Sequence, residues 1–188
     1  MALAAAFLLV LAALAFFLFP PADRRVVRFT VHHAAGVEDF AVSPDGLRLA
    51  FAAPDEAGAC VLWVRPLDSV TARPLPGTDG VRFPFWSPDS RFLGFFAQGK
   101  LKRVDAAGGA PFTLCDAGRG QGGSWSRDAG IVFAPHPSSE LYRVSAAGGA
   151  PESATRLDGG RGVIAHQRPA FLPNGSLFLF SARTKGQQ

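Results

Sequence analysis

Val42-Ser43-Pro44-Asp45-Gly46-Leu47-Arg48-Leu49-Ala50-Phe51 is a phrase that the chain repeats. It returns as Trp86-Ser87-Pro88-Asp89-Ser90-Arg91-Phe92-Leu93-Gly94-Phe95, then as Trp125-Ser126-Arg127-Asp128-Ala129-Gly130 before Ile131-Val132-Phe133. The fourth copy is Phe171-Leu172-Pro173-Asn174-Gly175 before Ser176-Leu177-Phe178-Leu179-Phe180. Ser43 to Ser87 is 44 residues, Ser87 to Ser126 is 39, and Ser126 to Leu172 is 46. Strand-turn-strand content at a period near 40 is the signature of propeller blades. A second phrase keeps the same period: Arg103-Val104-Asp105-Ala106-Ala107-Gly108-Gly109-Ala110-Pro111 recurs 40 residues later as Arg143-Val144-Ser145-Ala146-Ala147-Gly148-Gly149-Ala150-Pro151.

The second copy shows how one blade is built. Phe83 to Trp86 is a short apolar run, suited to a strand buried on both faces. Ser87-Pro88-Asp89-Ser90 forces a turn, because proline presets φ and the Asp and Ser side chains bond nearby backbone N–H groups. Phe92 to Ala97 returns as a second strand. Gln98-Gly99 turns the chain, and Lys100-Leu101-Lys102-Arg103-Val104 alternates polar and apolar as a half-exposed third strand. Asp105 to Gly109 is a glycine turn, and Phe112 to Cys115 is the outer strand. The first blade follows the same plan, with Val61 to Val64 and Ala72 to Leu75 as strands three and four. The third uses Leu141 to Val144 as its third strand. No stretch after residue 25 carries a sustained helical period.

The N-terminus is a different material. Ala2 to Phe19 is 18 consecutive apolar residues, ended by Pro20 and Pro21, and the first charge is Asp23. A helix of that length spans roughly 27 Å, close to the ~30 Å hydrocarbon core of a bilayer. A signal peptide cleaved after Ala13-Leu14-Ala15 is the rival reading. No basic segment precedes that tripeptide, and Phe16 to Phe19 continues the apolar run, so an uncleaved anchor is favoured. Arg24, Arg25 and Arg28 flank the span on its C-terminal side, which by itself would keep the following domain cytoplasmic. The expected organisation is therefore a transmembrane helix or signal anchor at 1–22, a linker and lead strand at 23–39, and an all-β propeller segment at 40–188. That segment holds three four-stranded antiparallel blades and a fourth that stops after two strands, at Ser181. The lead strand, Val26 to Val31, has no place in the first blade and is expected to complete a missing final one.

Several patterns mimic catalytic chemistry. Gly94-Phe95-Phe96-Ala97-Gln98-Gly99-Lys100 matches most of a phosphate-binding loop, but Leu101 stands where Ser or Thr would hold magnesium, and no helix follows. Gly118-Arg119-Gly120-Gln121-Gly122-Gly123 fits a dinucleotide fingerprint without the strand before it and the helix after it that such a site needs. It reads as the loop between blades two and three. Gly122-Gly123-Ser124-Trp125-Ser126 misses the last glycine of a nucleophile elbow. His32 and His33 are neighbours that would face opposite ways on a strand, and His136 and His166 are placed in loops. None has carboxylate or cysteine partners at ligand spacing. Asp45, Asp89 and Asp128 are assigned to their turns, as is the sequon Asn174-Gly175-Ser176. Cys60 and Cys115, placed at equivalent strand edges of different blades, are read as small hydrophobes rather than a disulfide pair. The net charge is +4, with no basic stripe of the kind nucleic acid requires. No catalytic, metal or cofactor site and no nucleic-acid partner are expected.

The repeat Trp/Phe-Ser-Pro-Asp-Gly-x-x-Leu/Ile-Ala/Gly-Phe, followed by Leu-Trp/Tyr-Val/Arg and a Gly-Gly turn, resembles the WD40-like repeats of TolB-type β-propellers. Residues 40–181 carry it. The third copy has Arg127 in place of the proline, and the fourth has Leu172-Pro173-Asn174 in place of Ser-Pro-Asp. The wider arrangement adds a hydrophobic span, a Pro-Arg joint, the lead strand and Leu62-Trp63-Val64-Arg65-Pro66-Leu67-Asp68. It resembles the region that follows the kinase domain in membrane-anchored bacterial serine/threonine kinases. That resemblance implies a single-pass inner-membrane protein with an extracytoplasmic propeller that senses or binds a protein or peptide. It transfers no catalytic residue, because the Gly-rich, His-Arg-Asp and Asp-Phe-Gly motifs are absent from this sequence. Two alternatives remain: the propeller of a larger serine peptidase, and a TolB-like component of an envelope complex. On any of them, missing blades or an oligomer close the ring.

Overall fold

The computed structural model describes residues 37, 39–128 and 130–186. The expected anchor helix, the lead strand Val26 to Val31 and the pair His32-His33 lie outside the described residues. Among the described residues no helix is long and apolar enough to cross a membrane.

The chain folds as successive antiparallel meanders. Blade one holds β1 (Phe40–Val42), β2 (Arg48–Pro54), β3 (Cys60–Pro66) and β4 (Arg73–Leu75), paired in that order. Blade two holds β5 (Arg82–Trp86), β6 (Phe92–Ala97), β7 (Lys100–Asp105) and β8 (Phe112–Asp116). Blade three holds β9 (Gly123–Trp125), β10 (Gly130–Phe133), β11 (Tyr142–Ser145) and β12 (Glu152–Ser153). The fourth sheet is the pair β13 (Val163–Phe171) and β14 (Phe178–Thr184). The innermost strands β1, β5, β9 and β13 adjoin one another in sequence. The all-β segment of three and a half blades is the architecture expected from the repeat, and the described strands form an open arc.

Apolar residues on both faces of each central strand explain the stacking. On β6, Leu93, Phe95 and Ala97 pack toward blade one, in a core with Ala50, Ala52, Leu62 and Val64. Phe96 packs the other way, in a core with Leu101, Leu114, Trp125, Ile131 and Phe133. Val132, Ala134 and Leu141 meet Phe171 and Phe178 of the fourth sheet. Large rings are admitted where the facing backbone has no side chain. A Cβ on Gly94 would lie 2.3 Å from Phe85 Cζ, and one on Gly120 would lie 2.0 Å from Phe96 Cδ1. Gly120 of the apparent dinucleotide fingerprint is therefore a packing glycine, in the connector between β8 and β9.

Two expectations about side chains are corrected. His166 is not in a loop: it lies on β13, buried, because the fourth blade's inner strand starts earlier than the Phe-Leu-Pro phrase suggested. Cys60 and Cys115 do not occupy equivalent positions, since Cys60 opens the third strand of its blade and Cys115 lies in the fourth strand of the next. Neither is in a disulfide.

The outer edge of β14 is unpaired among the described strands, and Leu179 and Phe180 are 64% and 40% exposed. Unpaired apolar edges recruit other chains. A chain starting at Val26 should therefore self-associate with rising concentration in sedimentation velocity, and Leu179→Lys should weaken the association. A monomer that melts cooperatively at all concentrations would contradict this. Separately, Gly120→Ala should overpack Phe96 at a cost of about 1–3 kcal/mol, lowering Tm by about 2–12 °C in a circular-dichroism melt.

Candidate functional site

The hairpins joining the first and second strands of each blade share one face of the arc with the glycine turns joining the third and fourth. Each of the first three hairpins is organised by a buried serine hydroxyl. Ser43, Ser87 and Ser126 are 2–3% exposed. Ser43 Oγ donates to Asp45 Oδ1 and accepts the Arg48 N–H at 2.9 Å. Ser87 Oγ does the same with Asp89 and with the Phe92 N–H at 2.8 Å. Ser126 Oγ donates to Asp128 and accepts the Gly130 N–H at 3.1 Å. The repeated aspartates are thus turn braces, as expected from their positions. The fourth hairpin, with Leu172, is held by its backbone and by the Ser176 N–H on Asn174 Oδ1.

These contacts hold the carboxyls ionised. Burial pushes Asp45 up, but the Ser43 hydroxyl, the Leu47 N–H and Arg48 outweigh it and leave its pKa lowered. Asp89 is lowered first by the Ser87 hydroxyl.

The seams between blades differ at this face. Between blades one and two the Arg48 guanidinium lies 5.0 Å from the Trp86 ring and bonds the Ser90 carbonyl at 2.5 Å, while the Asp45 N–H bonds Ser90 Oγ. Between blades two and three, Phe92 stands where Arg48 stood. It stacks on Trp125, the counterpart of Trp86, at 6.2 Å. A phenyl ring cannot reach across with hydrogen bonds, and the Ser126 hairpin is one residue shorter. A groove of about 500 Å³ remains there, lined by Ser87, Asp89, Phe92, Arg103, Trp125 and Arg127, among others.

The third-strand position that Arg103 occupies is filled by Val64 in blade one and Arg143 in blade three. Val64 packs into the core shared by blades one and two. Arg143 pairs with Asp128 at 2.9 Å. Arg103 does neither: its guanidinium carbon lies 5.0 Å from the Phe92 ring and 5.3 Å from Phe112. Its buried Nε has no hydrogen-bond partner, and no ion pair forms to it among the described residues.

The phosphate-loop and dinucleotide lookalikes contribute nothing to the lining of this groove, whereas Trp125 and Ser126 of the elbow lookalike line it. Gly94 to Lys100 spans β6 and the hairpin to β7, and Lys100 pairs with Asp116. Gly118 to Gly123 runs from the connector into β9. Ser124 Oγ accepts the Phe171 N–H at 3.0 Å, Asp128 serves Ser126 and Arg143, and His166 Nδ1 lies 2.8 Å from Thr155 Oγ1. Burial pushes the Cys115 thiol up to about 11, so it stays protonated at neutral pH. Among the described residues no three His, Cys, Asp or Glu side chains could together hold a metal ion.

Sequence reasoning missed one recurring feature at the opposite mouth of the inner strands. Phe83 and Arg168, each just before a proline, take φ of 49° and 50°, and Gly122 takes 101° in the same register. Proline disfavours the α region for its predecessor and a side chain disfavours positive φ, so only the surroundings hold these bends. The Phe83 N–H is captured by Asp39 Oδ2 at 3.0 Å, and the Arg168 N–H by the Gln121 carbonyl at 3.1 Å. The common spacing of Pro84 and Pro169 from their hairpins was the available signal.

The described residues define a class: an open β-propeller segment with a TolB-like, WD40-like fold. The chain matches no protein-family model, and no curated protein sequence matches it. Among solved structures, a putative TolB from Agrobacterium tumefaciens is similar with a TM-score of 0.69 at 22% identity, covering 82% of this chain and 58% of that one. TolB from Acinetobacter baumannii is similar with a TM-score of 0.66 at 15% identity, over 81% of this chain and 39% of that one. A puromycin hydrolase is similar with a TM-score of 0.61 at 20% identity, over 87% of this chain and 28% of that one. This chain therefore spans less than two thirds of each, and identities this low concern the fold alone.

Removing the Ser87 hydroxyl would strand the Phe92 N–H, so Ser87→Ala should cost about 1–3 kcal/mol in a denaturant melt. The pH dependence has a definite sign. A carboxyl whose folded pKa is lowered stabilises the fold above its ordinary value, 3.8 here, and that contribution is lost as pH falls through the lower folded value. Stability should fall in acid below about pH 4, and Asp45→Asn with Asp89→Asn should flatten that limb. His166 is lowered by burial, so its contribution should be lost as pH falls below 6.5, and His166→Gln should remove that step.

Proposed function

We propose that this chain is the non-enzymatic recognition module of a larger membrane-anchored signalling protein, one that binds a protein or peptide on its hairpin face. The observation that carries the reading is the groove left open between blades two and three. Its neighbouring seam is clamped, while this one exposes an aromatic wall and guanidinium groups on a rigid scaffold. Loops on rigid scaffolds are where propellers and other repeat folds carry their contacts. The apolar run Ala2 to Phe19 supports an anchor in the bacterial inner membrane, and the kinase-like sequence arrangement supports an extracytoplasmic propeller. The lookalike phosphate loop takes no part: with Lys100 paired to Asp116, the proposal includes neither ATP binding nor hydrolysis.

A second reading is favoured by one observation, the likeness in fold to a puromycin hydrolase. On that reading the segment is the propeller of a serine peptidase whose catalytic domain lies elsewhere. A TolB-like envelope component is the third reading, favoured by the two TolB structures.

An array of short random peptides, probed with the full chain in detergent micelles, tests the reading. Binding should be lost on Arg91→Glu with Arg127→Glu, on the hairpin face, and kept on Arg119→Glu, on the connector between β8 and β9. Binding insensitive to the first pair, or no binding, would overturn it. Alkaline phosphatase fused after Gln188 should be active if the propeller is extracytoplasmic. ATP should leave the melting temperature of the wild-type chain and of Lys100→Ala unchanged.

A further inference from the structure

The groove between blades two and three is a built site with one unsatisfied element. Two repeats present an arginine at the same third-strand position, and each blade disposes of it differently. Blade one has the core residue Val64 there, and Arg143 is neutralised by Asp128. Arg103 is held against two phenyl rings with its buried Nε unpartnered. A guanidinium loses little on stacking and keeps its in-plane donors for an acceptor. A desolvated donor without a partner costs free energy that only an arriving acceptor recovers. Arg127 adds a second positive charge to the lining, and Asp89 is the single carboxylate there. Asp89 is already engaged by the Ser87 hydroxyl and the Arg91 N–H. The balance of the lining is thus positive, and the Phe92–Trp125 stack supplies apolar surface beside it.

We propose that this groove is a carboxylate-recognition subsite for a peptide ligand. The Arg103 guanidinium receives a terminal or side-chain carboxylate, and the Phe92–Trp125 stack seats the adjoining apolar group. The inference deepens the reading of the hairpin face as peptide-binding and rests on it. A planar two-oxygen anion suits a guanidinium fork, which distinguishes an acidic peptide from one presenting only amides. The open seam exists because Phe92 replaced the clamping Arg48 of the preceding blade, and the same replacement provides the ring on which Arg103 lies.

The probe is hippurate, a benzoyl-glycine that carries an amide, a ring and a carboxylate, titrated into the full chain in micelles. The Trp125 indole resonance, assigned with Trp125→Phe, reports occupancy. A saturable shift with Kd of about 1 mM is expected for a ligand of this size. The carboxamide analogue should bind at least about tenfold more weakly, the loss expected when a charge-assisted contact becomes neutral. Arg103→Met should weaken hippurate to the same extent, and Arg143→Met, which touches another seam, should leave it unchanged. Because the acid–amide comparison uses the unaltered chain, it decides the question even if Arg103→Met fails to fold. Equal affinity for acid and amide, no saturable shift, or undiminished binding by folded Arg103→Met would each overturn the proposal. If arrayed peptides bind the hairpin face regardless of acidic groups, the subsite fails and the wider reading stands. If no peptide binds at all, the wider reading fails with it.

Discussion

One buried hydroxyl per blade sets the geometry on which the rest depends. Ser43, Ser87 and Ser126 each accept an N–H from the start of the second strand and donate to the aspartate two residues on. A hydroxyl is one of few groups that can donate and accept at a single buried point. It therefore fixes where the second strand begins relative to the first, and hence which residues face each neighbouring blade. A one-residue slip would turn every side chain of the second strand to the other face. The fourth copy, with Leu172 in place of serine, forms its hairpin through backbone bonds and the Asn174 side chain.

Given that register, the blades stack by pairing bulk with absence of bulk. Ala50 and Ala52 share a core with Phe95 and Trp86, and Phe85 fits against the bare backbone of Gly94 and Gly123. Interiors tolerate neither voids nor overlap, so Gly94, Gly120 and Gly123, in runs that resemble nucleotide-binding and nucleophile-elbow motifs, are explained by the phenyl rings that approach them. The polar clamps are added to this packing. The Arg73 guanidinium bonds the Ala106 and Ala107 carbonyls of the next blade, and Trp86 Nε1 donates to the Ala41 carbonyl at 3.0 Å. Gln167 and Arg183 of the fourth sheet both reach the Pro137 carbonyl.

The groove arises where this scheme is incomplete. Arginine at the start of β2 closes its seam by stacking and hydrogen bonding at once, whereas phenylalanine at the start of β6 can only stack. Repetition thus supplies the scaffold, and departures from repetition supply the chemically distinct surface. The same logic separates Arg103 from Arg143: they are identical residues in phrases that differ only at Asp105 and Ser145, and only Arg143 pairs with an aspartate among the described residues.

Much of the fold was legible along the chain. The period, the turn phrases and the alternation of the third strands placed three blades and a half, because hairpin chemistry is local and its residues lie within five positions of one another. The limits of β6, Phe92–Ala97, were read directly from composition. Contacts between blades were not legible, since they join residues some forty positions apart whose approach depends on how two sheets rotate against each other. That is why local pattern alone places His166 in a loop although it lies in β13 against Thr155 and Phe180. The sequence by itself determined an all-β repeat and the hairpins that start each blade, through local turn preferences and strand periodicity. Tertiary structure alone decided which arginine is neutralised, which seam is clamped and which stays open, because those outcomes depend on distances between side chains that no local pattern encodes.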